Sequence, residues 1–186
     1  MSRKALLLCF LLCSESHGAL AMSVDEAYRS IPHQKTDFDH NTARMRAGES
    51  AYLDSFFTLV NAAIVARVQT LQWFSSGGSA GIPYAHYRAS IDAILADFER
   101  LTVPAGLGDV QQQVLAAVRL HSEYFADWTA RTSRGERYRF SSKDKRISAS
   151  SRLLISAYKR LMQRYPKATR NNRQAFYDHL CALDFI

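Results

Sequence analysis

Residues 84–101 read YAHYRASIDAILADFERL, and their spacing decides the fold class. Tyr84, Tyr87, Ile91, Ile94, Phe98 and Leu101 recur at steps of three and four, so at about 100° per residue they share one side of a helix. Arg88, Asp92, Asp97, Glu99 and Arg100 all fall off that seam, which a strand with its period of two could not arrange. A seam with heptad steps needs other helices to pack against. The Gly- and Ser-rich stretch SSGGSAG at 75–81 separates this helix from the one before it, and Pro83 suits a first helical position.

Working toward the N-terminus, Leu53, Phe57, Val60, Ile64, Val68, Leu71 and Phe74 predict a long helix over 41–74, with Gly48 as a point of interruption. Ser23 and Glu26 form a capping-box pattern that opens a short helix, and the chain from Pro32 to Asp39 reads as irregular. Working toward the C-terminus, VPAGLG at 103–108 breaks the chain and Asp109 with Gln112 is placed to cap the next helix. Its stripe is Val114, Val118, His121, Phe125 and Trp128. Ile147, Leu154, Tyr158, Leu161 and Tyr165 mark a further helix that Pro166 stops. Asn171 then caps a last short helix carrying Phe176, Leu180 and Leu183. Four amphipathic helices with smaller ones at each end predict an all-α fold, a mostly antiparallel four-helix bundle.

The first residues, MSRKALLLCFLLCSESHGALA, carry Arg3 and Lys4 before an apolar run at 5–13 and a small-x-small site at 19–21. That pattern is a secretory signal peptide with cleavage after Ala21, and it leaves one domain over 22–186 in a periplasmic or extracellular compartment. The run is about half of the roughly 20 residues a membrane span needs, and no second run is expected to reach that length, so no transmembrane segment is expected. Cys181 is then the sole thiol, which excludes an intramolecular disulfide and fits a buried, inert residue; a bridge between two copies would make a homodimer.

Charge is unevenly spread. Residues 131–173 hold 14 Lys and Arg against 2 Asp and Glu, a formal +12, whereas the other residues of 22–186 sum to −6. The segment begins RTSRGERYRFSSKDKR at 131–146, read as the longest connection between core helices, where function often collects. Arg134, Arg137, Arg139, Lys143, Lys145 and Arg146, continued by Arg152 and Lys159 on the next helix, are the candidate binding residues for an anionic partner. Arg160 and Arg164, four apart, are expected on the same flank. Tyr138 and Phe140 within the run either insert at an interface or pin the loop to the helices. A solvated loop is the competing reading.

Other patterns point to less. His121 is the polar member of an apolar stripe, and an inward histidine in a bundle can ligate haem or a metal, with Met45 or Met162 opposite. There is no C-x-x-C-H and no E-x-x-H, so a hydrogen-bonded core histidine is the expectation and no cofactor is assigned. His33, Asp37 and His40 match no zinc spacing. SSGGSAG lacks the Lys and Ser or Thr of a phosphate loop, and no catalytic motif is present. Nucleic acid is scarce outside the cytoplasm and no binding motif for it occurs. The sequence therefore predicts an exported binding or accessory protein with a basic face over 131–173 for an anionic envelope component or an acidic protein surface. The alternative is a haem- or metal-binding bundle or enzyme centred on His121.

Overall fold

The computed structural model describes residues 22–39, 45–46, 48–78, 82–137, 139–141 and 143–184. The signal segment and cleavage position expected from the sequence, His40 and Tyr138 lie outside these residues. Among the described residues there are six helices and no strand: α1 (Val24–Arg29), α2 (Glu49–Ser75), α3 (Tyr84–Arg100), α4 (Gly108–Ser133), α5 (Lys145–Arg164) and α6 (Arg170–Asp184). Each of α2 to α5 packs on the next, α5 packs on α6, and α6 returns to α2, against which α1 also lies.

The predicted stripes are the core. Tyr87, Ile91, Ile94 and Phe98 of α3 meet Val114, Val118, Phe125 and Trp128 of α4, and Leu154 and Leu161 of α5 are buried with them. α6 is a larger part of this core than a terminal appendage: eight of its 15 residues are buried, Phe176, Leu180 and Leu183 among them. It also holds the irregular segment before α2. The Asn172 side chain donates to the Asp39 carbonyl (2.9 Å) and accepts from the Asp39 amide (2.8 Å), so one buried amide satisfies an extended backbone that has no strand partner.

Several boundaries differ from the sequence reading, each for a local reason. The capping box at Ser23 and Glu26 forms, with the Glu26 amide donating to the Ser23 hydroxyl at 3.2 Å. α2 does not begin near Asn41; it starts after Gly48, whose φ of 83° is left-handed and cannot continue a helix backward. Asp109 lies inside α4 and pairs with Arg160 at 2.7 Å, so it does not cap the helix. Gln112 makes no capping box; its neighbour Gln111 is the buried one, donating to the Phe98 carbonyl (2.6 Å) and accepting from the Tyr52 hydroxyl (2.9 Å). Thr169, and not Asn171, receives the first-turn amide of α6, from Asn172 at 3.3 Å.

α2 also departs from the expectation that no second run is long and apolar enough for a membrane. By length and composition its 27 residues pass that test, with a window of mean hydropathy 1.3 of which 56% is buried in the fold. The Ala- and Val-rich stretch NAAIVARV at 61–68 raises the mean, because α2 meets neighbours on several sides.

Arg67 sits within that stretch and is 1% exposed. Its two terminal nitrogens donate to the Leu183 and Ala182 carbonyls, the latter at 2.6 Å, while its Nε meets no acceptor among the described residues. These carbonyls belong to the last turn of α6, which its own ladder leaves unpaired and where the helix dipole is negative. Burial lowers the guanidinium to about 10, and Tyr87 and Asp184 act in the opposite direction. Arg67 is therefore a cation in the core that caps another helix.

Arg67→Met is expected to destabilise the fold by about 2 kcal/mol in denaturant melts. Two buried carbonyls lose their donors, at about 1–3 kcal/mol each, and relief from burying a charge offsets part of that loss. Hydrogen exchange should then quicken first in α6; a uniform change across all helices would contradict the capping role.

Candidate functional site

The basic run is tied down at both ends. α4 continues through Ser133, so Arg131 is helical and the connection to α5 covers 134–144, shorter than the sequence suggested. The stop is a Schellman arrangement: the Gly135 amide donates to the Thr132 carbonyl (2.9 Å) and the Glu136 amide to the Arg131 carbonyl (3.1 Å). Gly135 adopts φ 79°, which that motif requires of the residue after the cap. At the other end Asp144 caps α5, its side chain accepting from the Arg146 amide at 2.8 Å.

Arg146 fastens this end to α4. It donates to both Asp144 carboxylate oxygens (2.9 and 2.7 Å), to Asp127 (3.0 Å) and to the Glu123 carbonyl (3.2 Å), and lies 5.4 Å over the Tyr124 ring. Its hydrogen bonds hold the Asp144 and Asp127 carboxyls below their ordinary range. Tyr124 is fully buried and also fixes the middle of the loop, accepting the Ser141 amide at 3.2 Å and packing edge-on to Phe140 at 5.8 Å. Of the two alternatives for Phe140, pinning the loop is the one its packing matches. The residue that organises the loop, Tyr124, is one the sequence offered no reason to single out, since it lies beside the predicted stripe of α4.

These ties divide the 14 cations of 131–173 into two groups. Arg131 and Arg134 pair with Glu136, Arg131 also with Asp127, Arg146 as above, Arg160 with Asp109, and Arg164 with the buried Glu49. Burial pushes the Glu49 carboxyl up, but Arg164 and the Arg46 amide overcome this and hold it below its usual value. Arg173 donates to the Ala168 (2.9 Å) and Pro166 (2.6 Å) carbonyls. Arg160 and Arg164 thus face α4 and α2, away from the flank where their spacing had placed them. Arg137, Arg139, Lys143, Lys145, Arg152 and Lys159, together with Lys167 and Arg170, are exposed and have no carboxylate partner among the described residues.

On α5 the second group forms a line. Ile147, Ser150, Leu154, Ala157 and Leu161 face the core, and Lys145, Arg152 and Lys159, seven residues apart, lie on the opposite side. Next to them Ile155 is 52% exposed, and Tyr177 of α6, packed edge-on to Tyr158 at 5.7 Å, is 46% exposed. The sequence reading contained neither Ile155 nor Tyr177 as surface features.

His121 belongs to the interior. It is 2% exposed, with Nε2 2.7 Å from the Ser150 hydroxyl. That hydroxyl also lies 3.0 Å from the Ile147 carbonyl, so Ser150 links the imidazole to the first turn of α5. Burial and, behind it, the Arg67 charge drive the His121 pKa well below the ordinary value. Nε2 is engaged by Ser150, and Met45 and Met162 are only partly buried at the edge of the core. Asp37 pairs with Lys35 at 3.3 Å, and no group of three His, Cys, Asp or Glu gathers among the described residues. Cys181 is half-buried at the α5–α6 groove, not in the core as its residue type suggests.

Stability is expected to fall as pH drops below about 6.5. There the unfolded chain binds a proton at His121 that the folded chain refuses, so unfolding takes up protons and acid favours it, by up to about 1.4 kcal/mol per pH unit. His179 is shifted the same way by burial and adds to the slope. Denaturation midpoints from pH 7.5 to 5 check this, and His121→Gln should flatten the slope while costing on the order of 1–3 kcal/mol at neutral pH. A midpoint constant across that interval would show that His121 titrates normally.

Comparison of the chain with protein-family models, with curated proteins and with solved structures found no match.

Proposed function

We propose that this chain is an exported binding or accessory protein whose basic face docks onto an anionic envelope component or the acidic surface of a protein partner. In this reading residues 1–21 direct export and are removed after Ala21. The remaining chain works outside the cytoplasm, with α2 to α5 as an antiparallel four-helix core. What supports it is the division of the cations: the fold uses one group to join its own elements and leaves the other, spread over 137–170, exposed and without a carboxylate partner among the described residues. Unpaired like charges repel one another and give nothing back to the fold, whereas an anionic partner would neutralise them.

The test is a variant with Arg137, Arg139, Lys143 and Lys145 all changed to Gln. None of the four has a carboxylate partner among the described residues, so the unfolding free energy should stay within about 0.5 kcal/mol of wild type. Retention on an anionic envelope fraction should weaken, and wild-type retention should itself fade as salt rises, because exposed charges are screened beyond about 10 Å at 0.1 M. Equal retention of variant and wild type at every salt concentration would reduce the run to a solvated loop.

The localisation is checked separately by N-terminal sequencing of the exported form. A mature start at Met22 is expected, and a start at Met1 would overturn it.

A further inference from the structure

The outer surface of α5 and α6 carries chemistry that the loop does not. α5 contains six basic residues and no acidic one. Three of them, Lys145, Arg152 and Lys159, lie unpaired in a row about 21 Å long at 1.5 Å per residue. α6 runs back alongside, its register fixed by the Tyr158–Tyr177 ring contact and by the Ser151 hydroxyl donating to Asp184 at 2.7 Å. That register sets Tyr177 and Cys181 of α6 alongside the row, with Arg170 beyond its Lys159 end. Between the two helices Ile155, Tyr158, Tyr177 and Cys181 border a shallow cavity of about 50 Å³ floored by Leu154 and Leu180.

We infer that this two-helix face seats on an anionic lipid surface, with Lys145, Arg152, Lys159 and Arg170 among the headgroups and Ile155 and Tyr177 at the interface. The inference rests on the basic-face reading above and names its partner. Charge complementarity selects an anionic occupant, since Lys145, Arg152, Lys159 and Arg170 are exposed on these two helices with no carboxylate partner among the described residues, and the carboxylate at the cavity, Asp184, already holds the Ser151 hydroxyl. Two features select lipid over protein. The cavity is too small to receive the ridge of a partner helix. The α5 cations stand seven residues apart along a helix length, a spacing that meets many headgroups and converges on no single carboxylate. An aliphatic and a tyrosine side chain projecting beside cations is the composition of a helix face lying in a headgroup layer.

The experiment uses vesicles of phosphatidylglycerol mixed with phosphatidylcholine, against phosphatidylcholine alone, and reads the alkylation rate of Cys181 by peptide mass spectrometry. Every variant keeps the same N-terminus, so partitioning of residues 1–21 into lipid is common to all, and peptide analysis separates Cys181 from Cys9 and Cys13. Anionic vesicles should slow Cys181 alkylation several-fold, neutral ones should not, and salt should restore the rate. Lys145→Gln, Arg152→Gln and Lys159→Gln together should weaken vesicle binding about a hundredfold, on about fivefold per cation. Ile155→Ser with Tyr177→Ser should weaken it even at low salt, with the helical content unchanged by circular dichroism. Unchanged alkylation on anionic vesicles, equal slowing on neutral ones, or undiminished binding of the triple variant overturns the inference. If vesicles fail while an acidic protein is retained through Arg137, Arg139 and Lys143, lipid is the wrong partner and the basic-face reading stands. If neither is retained, both fall.

Discussion

The guanidinium of Arg67 forms no ion pair among the described residues, and the carbonyls at the end of α6, with the Asp184 charge behind them, answer its own. Burying an ion without compensation costs several kcal/mol, so α2 can occupy its central position only when α6 is docked with its last turn aimed inward. The two groups stand 115 residues apart in sequence, which makes this a long-range requirement on the whole chain. His121 lies within the field of Arg67 and is kept neutral partly by it, so the polar interior forms one coupled set. The ring in which α6 returns to α2 follows from the same contact.

Positive charge has two distinct uses in this molecule. Arg146, Arg160 and Arg164 each bridge separate helices or a helix and its cap; of their carboxylate partners Asp144 lies within the basic segment and Asp127, Asp109 and Glu49 come from the acidic remainder of the chain. The cations without a carboxylate partner among the described residues lie in the loop, on the outer side of α5, which has no acidic residue of its own, and at 167 and 170. Segregation seen in the sequence is therefore partly cancelled in the structure, and what remains is a smaller and more sharply placed field than the formal charge of 131–173 implies.

The helical class and the core were legible because heptad spacing in α3 and the stripes of α4 and α5 are local properties of the chain. The capping box at Ser23 was legible for the same reason. Asp109 and Asn171 were read as caps because they are cap-forming residue types near helix starts; both are claimed by distant partners, Arg160 and the Asp37 carbonyl. Arg67 could have been noticed as a charge inside an apolar run, but nothing local says that its partners are in α6. Among the candidate site residues, Arg134 and Arg146 are indistinguishable from Arg137 and Arg139 in sequence. Only tertiary structure shows which have carboxylates within reach.

The connection between α4 and α5 is anchored twice, by the glycine-based stop at Gly135 and by the Tyr124, Asp144 and Arg146 ties. Neither anchor uses the side chain of Arg137 or Arg139. Mutational change at positions 137 and 139 is therefore decoupled from folding, and the segment can drift in charge, length or composition at little structural cost. A surface with that freedom can be retuned to a new partner by few substitutions, while the helices beneath it stay under the stricter constraint of packing.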